Sequence, residues 1–200
     1  MKIAVLGFGN VGAQLAKLWL SKGHAVTAGL REGSKDRTTA SGMEAAIAVP
    51  AAAVQGADVI ALALPWQAVE QTLATLGPLS GRVVLDATNP LNADLSVLVP
   101  AAGSAALQIA EWARGARVVK AFNTIGAALM GDPAFDMMYC GDDAEAKSVV
   151  RGLIEDTGMK PVDVGPLSNA SYLEHLAGLW VDLAVKGRVQ GAFGFNLVKK

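Results

Sequence analysis

Three glycines near the start of the chain constrain its fold more than any other feature. The apolar run KIAVLG leads into the motif GFGNVG at residues 7–12, and an amphipathic helical pattern follows directly. A strand, a G-x-G-x-x-G turn and a helix in this order are typical of a dinucleotide-binding unit. Gly7 would permit the tight turn, Gly9 would let the backbone approach a pyrophosphate, and Gly12 would let helix and strand pack closely. The free N–H groups of the helix N-terminus would bind the phosphates.

Short apolar runs alternate with helical patterns through the first two thirds of the chain. The runs HAVTAG, AIAV, ADVIALALP, RVVLDA and ARVVKAF have strand length and are apolar on both faces, as in a parallel sheet covered by helices. Helices are predicted near 66–76 and 104–114. This alternation predicts an α/β fold with a doubly wound parallel sheet.

The last third of the chain continues the pattern less regularly. FDMMYCG and KPVDVG read as strands, DDAEAKSVVRGLIEDTG as a helix, and SNASYLEHLAGLWVDLAVKG as a long final helix. No Pro/Gly/Ser-rich linker separates two domains. We therefore expect one domain over residues 1–200, with 131–200 as a small C-terminal α/β lobe that ends in the long helix.

The composition excludes several classes of partner. Apolar residues make up 52% of the chain, charged residues 18%, and the net charge is −1. A chain of this kind packs into a globule and offers no large basic surface for nucleic acid or an anionic membrane. The apolar stretches are shorter than the roughly 18 residues of a membrane-spanning helix. With Cys140 as its one cysteine the chain forms no internal disulfide, and we expect a cytoplasmic location.

The end of the second strand bears on the choice between NAD and NADP. An acidic residue usually stands there in NAD-binding proteins, but positions 29 and 30 carry Gly and Leu. Arg31 follows, with Ser34 and Lys35 close by, and a guanidinium binds a phosphate well. This favours NADP(H). Two alternatives stay open: Glu32 could turn inward to bind a ribose 2′-hydroxyl, or these charges could be merely solvated.

No set of side chains in the sequence forms an obvious acid/base or metal site. His175 and Cys140 are predicted to be structural, and Asp86 is predicted to bond local backbone. Trp66 could either stack on a cofactor or fill the core. Oxidation of an alcohol needs a group that accepts its proton, whereas hydride transfer between two ring cofactors needs mainly alignment and a dry, apolar surface. The second chemistry suits this chain, and no catalytic residue or metal ligand is assigned.

Five later segments resemble one known family. VIALALPWQAV, VVLDATNPL, VVKAFNTIGA, CGDDAEAK and GPLSN occur in the same order in the NADPH-dependent F420 reductases and their bacterial relatives. The KAFNT form is also similar to the reductase domain of the STEAP metalloreductases. The resemblance covers nearly the whole chain. It implies a Rossmann-like domain that holds NADP(H), with a hydride passing directly between the nicotinamide and a deazaflavin or flavin.

The resemblance also implies which residues hold the cofactor. The loop 7–12 would bind the pyrophosphate and Arg31 the 2′-phosphate, while residues 64–66 would wall the adenosine-to-ribose side. Residues 89–90 would border the nicotinamide, and the backbone of 124–127 would orient its carboxamide. The complete set of expected cofactor-binding residues is Gly7, Phe8, Gly9, Asn10, Val11, Gly12, Arg31, Ser34, Lys35, Leu64, Pro65, Trp66, Asn89, Pro90, Thr124 and Ala127.

These observations predict an NADPH-dependent oxidoreductase that passes a hydride between NADP(H) and coenzyme F420 or a flavin-like acceptor. Two alternatives remain at this point. The first is a reductase of a small imine or carbonyl compound. The second is an NADP(H)-binding redox sensor without turnover.

The final helix suggests self-association. It carries a broad apolar surface and a narrow polar face. A short chain would leave part of such a surface exposed, and exposed apolar patches usually mark an interface. We therefore expect a homodimer with this helix near the two-fold axis, the alternative being a helix buried within its own chain. The apolar residues are Leu173, Leu176, Leu179, Trp180 and Leu183, and the expected polar face comprises Glu174, Asp182 and Lys186.

Overall fold

The structure, a computed structural model, describes residues 1–92 and 94–198. Its strands are β1 (Lys2–Leu6), β2 (Ala25–Gly29), β3 (Ala46–Ala48), β4 (Val59–Leu62), β5 (Val83–Asp86), β6 (Arg117–Lys120), β7 (Asp136–Gly141) and β8 (Lys160–Asp163). Its helices are α1 (Asn10–Ser21), α2 (Arg37–Gly42), α3 (Pro50–Ala53), α4 (Trp66–Ala74), α5 (Ala105–Trp112), α6 (Ala144–Asp156) and α7 (Ala170–Val185). The eight predicted strands and the five predicted helices are all confirmed. The short helices α2 and α3 were not predicted.

The strands form one sheet in the order β3-β2-β1-β4-β5-β6-β7-β8. The chain starts at β1, builds outwards through β2 and β3, and then crosses to the other side of β1 with β4. The strand order therefore reverses between β1 and β4, as in a doubly wound sheet. The predicted Rossmann-like α/β fold is confirmed.

Two strands, β7 and β8, depart from the expected all-parallel arrangement. β7 pairs with β6 in the antiparallel sense, while β8 pairs with β7 in the parallel sense. A parallel connection needs a crossover helix on one face of the sheet. The segment between β6 and β7 contains only a short 3-10 helix, Ala127–Leu129, so the chain returns beside the strand that it has just left. β7 and β8 thus extend the same sheet, and the division of 131–200 as a lobe stays a prediction.

Each face of the sheet carries its own apolar core. On one face α1 and α6 pack through residues such as Trp19 and Leu153. On the other face α4, α5 and the start of α7 pack through residues such as Leu73, Ile109 and Leu173. Because both faces are covered, the carboxyl-terminal edge of the sheet is where the strands remain accessible.

The final helix is only partly buried. Leu173 and Ala177 face the core, whereas Tyr172 and Leu179 are 73% and 50% exposed. The expected polar face is wrong in one residue: Glu174 is only 2% exposed. It is buried because its carboxylate binds backbone amides and an ammonium group from other elements, as described below.

Among the described residues, no helix combines the length and the apolar character needed to cross a membrane.

Candidate dinucleotide-binding site

A cleft of about 900 Å³ opens at the carboxyl ends of β1, β2, β4 and β5. It lies where the strand order reverses, the usual ligand position in open α/β sheets. Most of the predicted cofactor-binding residues meet here although they are distant in sequence. Those that line the cleft are Gly7, Phe8, Gly9, Asn10, Val11, Arg31, Ser34, Lys35, Leu64, Pro65 and Asn89.

The three motif glycines serve different purposes. Gly7 has φ +89°, and a Cβ there would lie 2.4 Å from the carbonyl oxygen of Ala63. A Cβ at Gly12 would lie 2.0 Å from the carbonyl oxygen of Gly7. The fold itself therefore requires glycine at both positions. Gly12 does not line the cleft but lies beneath the loop, where it brings α1 against β1.

Gly9 differs from the other two glycines because the fold does not require it. Its φ of −70° is accessible to any residue, and no atom of the described chain lies within 4 Å of a Cβ built there. The space that a side chain would fill belongs to the cleft. Within the described residues no side chain caps the N-terminus of α1, so its first amide groups are available. Free amides beside an open cradle fit a pyrophosphate.

The end of β2 cannot present an acidic residue from its usual place. A Cβ at Gly29 would lie 2.3 Å from Cδ2 of Leu6, and the side chain of Leu30 is buried in the core. Leu30 also lines the cleft, and the first polar side chains there belong to the following loop, which starts with the exposed Arg31. Glu32 and Lys35 also line it, so the rim offers both a carboxylate and cations.

Asn89 lines the opposite end of the cleft and is paired with the buried Asn123. The side-chain amide of Asn89 donates to the Asn123 carbonyl oxygen at 2.9 Å, and that of Asn123 donates to Oδ1 of Asn89 at 3.0 Å. Asn123 also donates to the carbonyl oxygen of Leu173 at 3.1 Å. Its own Oδ1 is buried without a hydrogen-bond partner among the described residues. Such an acceptor calls for a donor from a ligand or water.

The backbone beside this pair is strained. Phe122, directly before Asn123, has φ +64°, a region that bulky residues rarely adopt. Its amide donates to Sδ of Met137 at 3.1 Å, and its ring packs edge-on against Trp19. Strain of this kind persists only where surrounding contacts impose it, and it is common at functional sites.

Asp86, Lys120 and Glu174 form a buried ionic cluster that adjoins the two asparagines. Nζ of Lys120 donates to Oδ2 of Asp86 at 2.8 Å and to the carbonyl oxygen of Thr88 at 2.6 Å. It also lies 3.2 Å from Oε1 of Glu174. Burial alone would lower the pKa of the Lys120 ammonium, but the two carboxylates outweigh it and hold that pKa above its usual value. Lys120 therefore stays charged inside the core.

Sequence reasoning found only part of this cluster. The predicted local bond of Asp86 is confirmed, because its Oδ1 accepts from the backbone amide of Thr88 at 2.8 Å. Lys120 was missed as the partner of Asp86, and Glu174 as the second carboxylate that binds Lys120. Their signal was present: Lys120 interrupts the apolar strand VVKAF, and Glu174 lies between apolar residues of α7. Charged residues in such positions are seldom buried unless they are paired.

Some predicted residues lie outside the cleft lining. Trp66 stacks on Trp112 with ring centroids 5.2 Å apart, and Pro90 and Thr124 are buried and are not among the lining residues. Ala127 lines a second cleft. Contacts of these residues with a cofactor stay predictions. Sequence reasoning also missed part of the wall, on the face of α4 and the turn after it, where Ala68, Gln71, Thr72 and Thr75 recur at helical spacing.

The second cleft, of about 860 Å³, adjoins the first at Asn10, which lines both. It lies between the start of α1, the 3-10 helix 127–129, the end of α7 and the segment 187–193. Trp180 forms one wall: its ring packs on Gly126 and stacks on Phe193, with centroids 5.4 Å apart. This cleft is therefore largely apolar and aromatic.

Cys140 is packed as predicted, whereas the structural role of His175 stays a prediction. Cys140 is fully buried, and burial raises the pKa of its thiol to about 12, so it is not a nucleophile at neutral pH. His175 is exposed and bonds the carbonyl oxygen of Ser171 in its own helix. Within residues 1–92 and 94–198 no group of three or more His, Cys, Asp or Glu residues could hold a metal ion.

Known proteins resemble this chain in both sequence and structure. A model of the family "NADP oxidoreductase coenzyme F420-dependent" matches residues 2–90. The F420-dependent NADP reductase of Methanothermobacter thermautotrophicus is 32% identical over 217 residues, covering 96% of this chain and 93% of the relative. The metalloreductase STEAP3 of Rattus norvegicus is 28% identical over 86% of this chain and 36% of its own length.

Two solved structures extend the comparison. That of an F420-dependent NADP reductase candidate from Arthrobacter sp. FB24 superposes with a TM-score of 0.89, 28% identity and full coverage of both chains. A reductive aminase from Aspergillus terreus in complex with NADPH has a TM-score of 0.70 and 26% identity, over 92% of this chain and 63% of the aminase. With a full-length relative above 30% identity and the glycine loop, cleft and fold described above, this chain belongs to the family of F420-dependent NADP reductases.

Proposed function

We propose that this protein exchanges a hydride between NADP(H), bound in the first cleft, and coenzyme F420. We further propose that it does so in the cytoplasm, with which its single buried cysteine is consistent. The observation that carries the cofactor assignment is Gly9. Neither its backbone conformation nor its surroundings within the described chain require glycine, and the free space lies over the N-terminus of α1. A pyrophosphate bound in this space would explain why the residue is glycine, because any side chain there would occupy the volume of the phosphates.

The remaining contacts follow from the shape of the cleft. We assign the 2′-phosphate to Arg31 and Lys35, the adenosine to the wall formed by α4, and the nicotinamide to the end formed by Asn89. When bound, NADPH supplies the hydride from its nicotinamide ring. The chain itself orients that ring and excludes water. It needs no acid/base side chain for a transfer between two rings.

We assign the ring of the acceptor to the second cleft. This cleft shares Asn10 with the first, so a ligand there would lie next to the cofactor. The apolar and aromatic wall formed by Trp180 and Phe193 suits a flat tricyclic ring such as a deazaflavin. An imine or carbonyl substrate would need a proton donor, and the described residues lining this cleft include no acidic, basic or histidine side chain.

The direct test is turnover with a panel of acceptors. The protein is incubated with NADPH and F420, FMN, FAD, a quinone or a small cyclic imine, and loss of the nicotinamide absorbance is followed. We expect oxidation with F420 and little with the imine. Oxidation with the imine alone would favour the imine reductase. NADPH binding without turnover on any acceptor would favour the redox sensor.

Arg31→Ala tests the 2′-phosphate assignment. Removing a charged hydrogen-bond donor should weaken NADPH binding by about 1.5–3 kcal/mol while NADH binding changes little. Titration with each cofactor measures both values, and Arg114→Ala, at an exposed position that lines neither cleft, is the control. An equal loss for both cofactors would contradict the assignment. An unchanged NADPH affinity would favour an NAD site that uses Glu32.

We also propose that the protein is a homodimer built on α7. Tyr172, Leu176, Leu179 and Leu183 recur at helical spacing on one face, and Tyr172 and Leu179 are largely exposed. A two-fold axis would bring this face against its own copy, the commonest arrangement in soluble oligomers. Light scattering at micromolar concentration should give the dimer mass.

Leu179→Glu should dissociate this dimer because the interface would have to bury an unpaired charge. Val185→Glu, at an exposed position on another face of the same helix, is the matched control and should remain dimeric. A monomer mass for the unmodified protein would refute the proposal.

A further inference from the structure

Helix α7 is connected to the asparagine pair through two consecutive residues. The carbonyl oxygen of Leu173 accepts from the side-chain amide of Asn123 at 3.1 Å, and the carboxylate of Glu174 pairs with Lys120. Neither Leu173 nor Glu174 lines the first cleft. At this turn the helix therefore contacts Asn123 and Lys120 without lining the first cleft itself.

The carboxylate of Glu174 is held in a single orientation. Oε2 accepts from the backbone amide of Ala105 at 2.9 Å, and Oε1 accepts from that of Ala106 at 3.2 Å. These two amides belong to the first turn of α5, whose positive dipole end favours a negative charge. Because its two oxygens are fixed in this way, the Glu174 carboxylate helps to fix the position of the Lys120 ammonium, which pairs with it as well as with Asp86.

Lys120 connects Glu174 to the turn at Thr88, which leads into the cleft. Its ammonium donates to Asp86 and to the carbonyl oxygen of Thr88, while Asp86 also accepts from the amide and the hydroxyl of Thr88. Thr88 is thus held by three polar contacts and directly precedes Asn89, which lines the cleft. A displacement of the ammonium would displace this turn.

We propose that Glu174 is a positioning residue that acts through Lys120 and Asp86 to orient the Asn89–Asn123 pair for the nicotinamide end of the cofactor. The proposal rests on the proposed binding of NADP(H) in the first cleft. It predicts a selective effect: a change at Glu174 alters recognition at the asparagine end and leaves the glycine-loop and Arg31 end as it is.

Glu174→Gln tests the proposal with two ligands. The glutamine keeps the shape of the side chain, but its NH₂ group must face either an N–H of α5 or the Lys120 ammonium, so one donor meets another. Lys120 keeps Asp86 as a partner. The ligands are NADPH and adenosine 2′,5′-bisphosphate, which carries the adenosine and the 2′-phosphate but no nicotinamide. Glu111→Gln, an exposed change on α5, is the control.

The expected result is a loss of NADPH affinity of about tenfold, the effect of one misplaced polar contact, with an unchanged affinity for the bisphosphate. An equal loss for both ligands, or no loss for either, would overturn the proposal. If the unmodified protein bound neither ligand, the proposed function itself would fail, and the positioning role with it. The two failures are therefore distinguishable.

Hydrogen exchange on the unmodified protein gives a second test that does not depend on the variant's folding. NADPH should slow amide exchange in the peptides that contain residues 104–107 and 170–177, because the cluster joins them to the asparagine pair. Adenosine 2′,5′-bisphosphate should not slow it there, although both ligands should protect residues 7–12. Unchanged exchange in both remote peptides on NADPH binding would contradict the coupling.

Discussion

The two ends of the first cleft are built in different ways. At one end the chain supplies backbone: three glycines within six residues, with α1 starting directly after Gly9. At the other end it supplies side chains from distant parts of the sequence. Lys120 and Asp86 are 34 residues apart, and Glu174 binds an amide 69 residues away. One end depends on the absence of side chains, whereas the other depends on their pairing.

This difference determines which changes each end can tolerate. The glycine loop loses its shape when a side chain is added in the wrong place, because no space remains between Gly12 and the carbonyl oxygen of Gly7. Removing one charge from the buried cluster destabilises the fold, because the remaining charged groups stay buried without a counter-charge.

The largest effect is expected for Gly12→Val. Its Cβ would lie 2.0 Å from a backbone oxygen that cannot move away, so α1 must separate from β1. We expect a loss of at least about 4 kcal/mol in the free energy of unfolding, or no folded protein. Urea unfolding followed by circular dichroism measures it.

Gly9→Val is the matched change within the same loop. It should leave the circular dichroism spectrum and the unfolding midpoint near those of the unmodified protein, yet abolish NADPH binding by filling the cradle. Retained binding would show that the loop serves the fold alone, and would remove the distinction drawn between Gly9 and Gly12.

Lys120→Met should have the next largest effect. It leaves Asp86 and Glu174 buried without their shared ammonium, which should lower the free energy of unfolding by about 3–5 kcal/mol. Lys160→Met, at an exposed position with a long contact to Asp136, should change it by less than about 0.5 kcal/mol. Equal losses for the two substitutions would mean that the buried cluster contributes no more to the free energy of unfolding than a surface ion pair does.

The smallest effect is expected for Ser104→Ala. The Ser104 hydroxyl caps α5 by accepting from the amide of Leu107 at 3.1 Å, while Glu174 binds two other amides of the same turn. Loss of the local cap should cost about 1 kcal/mol in unfolding experiments. NADPH affinity should not change, because Glu174 keeps its partners. A loss of affinity comparable with that of Glu174→Gln would assign the coupling to the helix end as a whole.

Much of the fold and one end of the cleft could be predicted from sequence because the relevant patterns are local. The eight strands were predicted from largely apolar runs of four to nine residues, the longer helices show their period directly, and the glycine motif defines its own turn. Arg31 could be identified as a candidate since it follows the second strand. By contrast, α2 and α3 span six and four residues and are too short to show a period.

Only the tertiary structure brought together the residues that form the other end. The sequence places Asp86, Lys120 and Glu174 in three separate elements, and no local pattern relates them. Glu174 was assigned to a polar face because periodicity measures the average polarity of a helix surface and not its partners. Its burial results from the packing of α7 against the N-terminus of α5. In the same way β7 became antiparallel because the chain lacked a crossover helix after β6, so pairing was decided by how the chain could return.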